Sequence, residues 1–388
     1  MKHNYRIFLI LSFFACLSSF AFPTEKNASA EAMRVGGKSA YLMDADSKTE
    51  IFSQNADERL PIASMCKIMT LSLCFEAIDE GKLSLDTMIP VSAHASSMGG
   101  SQVFLRSGSS YKAEELMKSI AVCSANDSCV AMAEYIAGSD SEFVDRMNEK
   151  AKSIGANDTL FANCTGLPKE PQYSTAHDVA YMLDDLIEHE KYFELCSVWN
   201  EPFRHPDGKT TDMTNTNKLI RTYQGLDGGK TGFTSEAGFC LASTAKRGDM
   251  RVIAVVIGED TSKGRFQDTE KLFDHAFANF TNRIVLDKDI PLGEKVAVRG
   301  GKKEWIQISS EENKGVFSPK GKSEDEISFE LVLNDSVKAP VKRGDTLGEI
   351  VIFKNGVEYS RVNAVAFEAD ERASYGDIVR RTAAEWNF

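Results

Sequence analysis

Hydrophobic periodicity divides the chain into a leader, a long mixed region and a late strand-rich region. Lys2 and Arg6 precede an apolar run from Ile7 to Phe22, and small residues follow at signal-peptidase spacing in Ser19-Phe20-Ala21 and Ala28-Ser29-Ala30. The pattern predicts an export leader over residues 1–30, cut after residue 21 or 30. A run of sixteen residues with three serines falls short of the roughly 20 apolar residues that a membrane span needs. Cys16 as a lipidation site is disfavoured by Phe13. Further on, KSAYLMDADSKTEIFSQ (38–54) predicts two strands joined by a turn at Asp46-Ser47-Lys48. Helical periods cover 64–80, 112–137, 141–154 and 176–189, the last after a cap-like Ser174-Thr175. A long loop is expected around Pro202 to Asp212. Strand patterns return at 238–244 and 251–257, and a final helix is expected over about 265–280. Strands at both ends with helices between them predict one α/β domain, its sheet closed late by distant segments.

Beyond residue 283 the pattern changes. EWIQIS (304–309), ISFELVL (327–333) and GEIVIF (348–353) are strand-like and separated by turn signals such as Gly300-Gly301 and Asn355-Gly356. The expected organisation is therefore residues 31–283 as one α/β domain, 284–373 as a small β-sandwich, and 374–388 as a tail. That tail, YGDIVRRTAAEWNF, can form a short helix with Ile378, Val379 and Trp386 near one side, and Arg380 and Arg381 available to anionic headgroups. Its shortness, with Asp377 and Glu385, weighs toward an ordinary solvated tail.

Charge and cysteine content narrow the function. With 57 acidic against 45 basic side chains, the net charge of −12 disfavours nucleic-acid binding. An anionic ligand would need a local cationic pocket. Of eight cysteines, Cys16 lies in the leader, and the other seven, Cys66, Cys74, Cys123, Cys129, Cys164, Cys196 and Cys240, sit in apolar runs without C-x-x-C spacing. They read as buried free thiols. The six histidines show no zinc spacing, so neither a metal nor another cofactor is expected.

The candidate chemistry lies in PIASMCKIMT (61–70), where Ser64 and Lys67 stand one helical turn apart among apolar residues. An amine is costly to bury unless it snorkels to water or its depressed pKa is useful. Ser-x-x-Lys alone decides nothing, because Ser109 to Lys112 and Ser243 to Lys246 repeat it. What distinguishes the first is a later Ser-x-Asn at Ser124-Ala125-Asn126 and a single Lys-Thr-Gly at Lys230-Thr231-Gly232. That ordered set is the one shared by penicillin-binding proteins and serine β-lactamases.

With these motifs, LPIASMCKIMT, SANDSCVAMAEYIAGSDSEFVDRMN, QYSTAHDVAYM, NTNKLI and GLDGGKTGFTSEAGFCLAST resemble the low-molecular-mass D-alanyl-D-alanine carboxypeptidases over about residues 35–282. That family also carries a β domain. The resemblance implies a β-lactamase-like fold, an antiparallel sheet flanked by helices with a helical subdomain. It also implies an exported enzyme acting on peptidoglycan stem pentapeptides, with β-lactams as covalent inhibitors. Ser64 would be the nucleophile and Lys67 its base, neutral through burial and the nearby Lys230 charge. Ser124 would relay a proton toward the departing amine, and Asn126 would hold the substrate amide and fix the lysine. Lys230 and Thr231 would bind the terminal carboxylate, with Arg265 at a family position that also serves it. Gly232 would allow close approach of the substrate, and backbone N–H groups of Ser64 and Phe233 would form the oxyanion hole. Phe233 stands where several relatives carry histidine. A class A β-lactamase would carry a Glu-x-x-Leu-Asn loop and no β domain; here that string occurs only at Glu330 to Asn334, inside the strand-like run of the β region and after the Lys-Thr-Gly, so no such loop is found. Endopeptidase or transpeptidase action with the same residues, and a non-catalytic penicillin-binding sensor, remain as alternatives. Asp178 reads as structural and Cys66 as a core residue.

Overall fold

The computed structural model describes residues 33–321 and 325–385. The expected leader, Cys16 and Trp386 lie outside the described residues. Two compact units are parted between Asn279 and Phe280, ahead of the expected 283/284.

In the first unit, β1 (Ser39–Asp44) and β2 (Glu50–Gln54) form the expected hairpin. Asp44 Oδ2 accepts from the N–H and Oγ–H of Ser47, and Lys48 takes a positive φ of 56° to close the turn. A 3₁₀ turn, Ala63–Cys66, leads into α1 (Lys67–Asp79), which is buried from Lys67 through Phe75. A helix apolar nearly all round belongs in a core rather than on a surface. Next come β3 (Met88–Pro90), α2 (Ala93–Ser96) and β4 (Ser110–Lys112), then α3 (Ala113–Cys123), α4 (Asn126–Ala137) and α5 (Asp140–Ser153). The single helix expected over 112–137 is thus two, because Ser124 adopts a left-handed conformation with φ 66°. Thr175 caps α6 (Ala176–Ile187) by accepting the Asp178 N–H at 3.0 Å, and α7 (Glu190–Cys196) follows.

The expected loop around 202–212 is instead a hairpin, β5 (Asn200–Arg204) with β6 (Thr210–Thr214). It escapes a periodicity reading because only Phe203 and Met213 of its two strands are buried. After α8 (Leu219–Thr222) come β7 (Leu226–Thr234), β8 (Gly238–Arg247), β9 (Met250–Glu259) and α9 (Ser262–Asn279). Together β2-β1-β9-β8-β7 make one antiparallel sheet, with Ser39 opposite Ile257 where the two ends of the unit join. Helices α6 and α9 pack on this sheet, and β7 is left as an edge.

The second unit pairs β10 (Phe280–Leu286) with a later strand and is otherwise a six-stranded sheet. In chain order the strands are β11 (Lys295–Arg299), β12 (Trp305–Ser310), β13 (Lys314–Pro319), β14 (Ile327–Leu333), β15 (Ser336–Lys338), β16 (Thr346–Lys354) and β17 (Val357–Ala366). The partner of β10 is β13, and alternating residues such as Ile306, Ile308, Ile350 and Ile352 form the core. Its final helix is α10 (Tyr375–Glu385), with Ile378 and Val379 exposed. Arg381 is not available in the way expected of it, since Nη2 donates to the carbonyls of Gly301 and Lys302 at 2.6 and 2.8 Å.

Both units match the expected fold class, an antiparallel sheet flanked by helices and an all-β unit. Among the described residues no helix is long and apolar enough to cross a membrane. All seven described cysteines are free thiols, with only Cys123 short of full burial. Burial pushes the Cys123 thiol up to about 11 and that of Cys196 to about 12.

Candidate active site

The three motifs, far apart in sequence, meet where the 3₁₀ turn, the break between α3 and α4, and edge strand β7 come together. Ser64 lies in the 3₁₀ turn and is partly exposed, whereas Lys67, the first residue of α1, is fully buried. Ala63 enters the turn with φ 48°, a sparsely populated conformation for a residue with a Cβ. Lys67 Nζ stands 3.1 Å from Ser64 Oγ, and it donates to Asn126 Oδ1 at 2.7 Å and to the Thr165 carbonyl at 2.5 Å. Two of these partners can only accept, while the third, a hydroxyl, can donate as well. The same geometry therefore serves an ammonium donating to Ser64 Oγ or a neutral amine accepting the Ser64 proton.

Thr165 is the residue that the sequence reading missed, because its contribution is a backbone carbonyl and carries no residue signature. The loop presenting it is organised by Asn163, whose Oδ1 accepts from the N–H and Oγ1–H of Thr165 and from the Gly166 N–H. Gly166 has φ 78°, and a Cβ there would run into the Ala63 carbonyl. The available signal is the turn-forming residue types of Asn163-Cys164-Thr165-Gly166, which name no role by themselves.

Ser124 sits in the strained link between two helices. Its Oγ is buried and has no hydrogen-bond partner among the described residues. Asn126 starts α4, accepts from Lys67 Nζ at Oδ1, and donates from Nδ2 to the Gly99 carbonyl at 2.7 Å. Asp127 beside it accepts from the N–H groups of Val103 and Leu105, which fastens the 99–105 loop to α4.

Lys230 extends from β7 into a buried position, and its one acceptor among the described residues is the Thr231 carbonyl at 3.1 Å. Two of its N–H groups are thus uncommitted. Its pKa is pushed down to about 7, first by burial and then by the Lys67 charge. Thr231 Oγ1–H donates to Thr216 Oγ1 at 2.7 Å, adding a second hydroxyl that the sequence reading had only within its NTNKLI stretch. Gly232 is where β7 meets the nucleophile's turn: a Cβ there would stand 2.7 Å from the Ile62 carbonyl and 3.2 Å from the Ser64 nitrogen. Phe233 follows, 54% exposed, with its ring stacked on that of Phe239 at 4.3 Å between centroids.

Arg265, on α9, lies behind β7. Nη1 donates to the carbonyls of Gly232 at 3.0 Å and Cys240 at 3.3 Å, so it braces the strand and adds positive potential at Lys230. Among the described residues, no group of three or more His, Cys, Asp or Glu side chains is placed to hold a metal.

Residues 25–261 match the family described as D-alanyl-D-alanine carboxypeptidase, and residues 280–372 match the C-terminal domain of penicillin-binding protein 5. The D-alanyl-D-alanine carboxypeptidase DacF of Bacillus subtilis (strain 168) is 38% identical over 349 residues, which covers 90% of each chain. Penicillin binding protein 5 from Haemophilus influenzae superposes with a TM-score of 0.69 at 28% identity, covering 89% of this chain and 100% of that one. Penicillin-Binding Protein D2 from Listeria monocytogenes, solved in an ampicillin bound form, is 32% identical with a TM-score of 0.54, covering 63% of this chain and 98% of that one. On these matches, and on the convergence of its three motifs, the chain belongs to the D-alanyl-D-alanine carboxypeptidase family.

Proposed function

We propose that this chain is a serine D-alanyl-D-alanine carboxypeptidase that removes the terminal D-alanine from peptidoglycan stem pentapeptides. The observation that carries the reading is the set of partners around Lys67 Nζ, in which Ser64 Oγ is the only one able to give up a proton. Ser64 Oγ attacks the carbonyl carbon of the penultimate D-alanine as its proton passes to Lys67. The N–H groups of Ser64 and Phe233, held close by the bare Gly232, receive the developing oxyanion. The C–N bond then breaks, and the leaving amine takes a proton by way of Ser124, whose buried hydroxyl has no partner of its own. Water activated by Lys67 cleaves the ester and restores Ser64. Lys230 and Thr231 bind the terminal carboxylate, Asn126 aligns the substrate amide and Lys67, and Arg265 acts as a positioning residue through Gly232.

β-Lactams present the same carboxylate beside a strained amide, so they acylate Ser64 as well. Peptidoglycan as substrate places the protein outside the cytoplasm, in keeping with the leader, and exposed Ile378 and Val379 on α10 offer a peripheral membrane contact. A product assay tests the central reading. D-alanine release from a pentapeptide, abolished in Ser64→Ala along with penicillin labelling, is expected. Cleavage confined to cross-linked peptides would favour the endopeptidase alternative, and labelling without any turnover would establish a sensor.

A further inference from the structure

A cavity of about 480 Å³ lies where the β1–β2 hairpin, the segment 55–58 that follows it and the start of α6 meet, and none of its lining residues takes part in the chemistry above. Its volume falls within the roughly 300–1,000 Å³ of small-molecule sites. Tyr41 and Ser53 are cross-strand partners on β1 and β2, so their side chains share the face that lines it. Tyr41 is only 4% exposed, and its ring meets the His177 ring edge-on at 4.9 Å between centroids. Its hydroxyl opens on the cavity and has no hydrogen-bond partner among the described residues. A buried tyrosine usually has a partner for that group, so this one is left to bond with what enters the cavity.

The charges on the walls indicate what that is. Glu50, Asp57 and Glu58 line the cavity, and no lysine or arginine does. Glu50 accepts from Ser53 Oγ at 2.7 Å, and Asp57 stands 3.4 Å from His177 Nδ1. The Glu58 side chain has no hydrogen bond or ion pair among the described residues. Even with His177 protonated, two negative charges are unmatched. Burial and then the Glu50 charge push the Tyr41 pKa up, in keeping with a negative potential at the hydroxyl.

These carboxylates do not converge on a point: among the described residues no group of three or more His, Cys, Asp or Glu side chains is placed to hold a metal ion. Negative charge is instead spread along the walls, together with the apolar faces of Tyr41, His177 and Ala56. The ligand that matches is a flexible aliphatic chain with ammonium groups at intervals. We propose that this cavity is a binding site for an aliphatic polyamine. Its ammonium groups pair with Glu50, Asp57 and Glu58, one of them donates to the Tyr41 hydroxyl, and its methylenes lie against the rings.

Spermidine is the probe, titrated calorimetrically into residues 31–388 at fixed ionic strength, with butylamine and magnesium chloride for comparison. One saturable spermidine site is expected. Butylamine, with a single ammonium, should bind several times more weakly. Tyr41→Phe keeps the ring and removes only the hydroxyl, so it should melt at the wild-type temperature and bind spermidine about tenfold more weakly, near the lower end of what a hydrogen bond to a charged group contributes. The triple variant Glu50→Gln, Asp57→Asn, Glu58→Gln should lose the site. Spermidine affinity unchanged in either variant overturns the proposal, and so does butylamine binding as tightly as spermidine. Magnesium chloride that displaces spermidine at matched ionic strength overturns it too, since that is the behaviour of general attraction to an acidic surface.

Discussion

Ser124 combines two local costs that ordinary folding would remove. A left-handed backbone at a residue with a Cβ costs roughly 1–2 kcal/mol, and its buried, unpartnered hydroxyl adds about 1–3 kcal/mol. Costs kept at one residue point to use, so Ser124→Ala should fold, melt at or above the wild-type temperature and lose most D-alanine release. Thermal melting followed by the product assay checks this, and a variant both less stable and fully active would refute it. Lys230 supplies a second residue-scale test through pH. With its pKa near 7 in the free protein, the side chain is an ammonium below that pH and a neutral amine above it. Carboxylate binding favours the charged form and raises that pKa in the complex, so KM should climb by up to about tenfold per pH unit as pH rises through and beyond 7. A substrate with an amidated C-terminus should show no such climb.

Among the elements, β7 is the one on which the site depends, and a neighbouring helix fixes its shape. The buried Tyr192 hydroxyl, from α7, accepts the Gly229 N–H at 3.0 Å and donates to the Gly229 carbonyl at 3.3 Å, just past the register shift between Leu226 and Gly228 in the ladder with β8. Tyr192→Phe keeps the ring but orphans both backbone groups one residue before Lys230. Stability should fall by about 1–3 kcal/mol, and the pH at which KM begins to climb should move, as melting and KM profiles would show. Gly166→Ala should slow acylation by penicillin, since a Cβ at its positive φ strikes the Ala63 carbonyl. Much of this level was legible beforehand. The strands at 38–54, 238–244 and 251–257 carry clear patterns, and the motifs named Ser64, Lys67, Ser124, Asn126 and Lys230 from residue type and order. The break at Ser124 was not legible, because AVCSANDSCVA holds no glycine or proline and its helical period runs through the kink. Nor were Thr165 and Tyr192, whose parts in the site are a carbonyl and a brace that only tertiary contact reveals.

At the scale of the whole molecule, every residue of the proposed site lies within the unit ending at Asn279. A polypeptide of residues 31–279 should accordingly be acylated by fluorescent penicillin at close to the full-length rate, measured as labelling against time. The pairing of Ser39 with Ile257 has a further bearing on time. Ser64 is made early, yet the sheet that brings Lys230 to it cannot close until Ile257 has been added. At about 5–20 residues per second that is a lag of roughly 10 to 40 seconds. Until then Lys230 is not held beside Ser64, and a fragment ending before β9 is expected neither to hydrolyse a peptide nor to trap an antibiotic. Covalent capture by penicillin is for this reason a stopwatch for the last long-range step of folding, starting only when the first strand and the ninth have found each other.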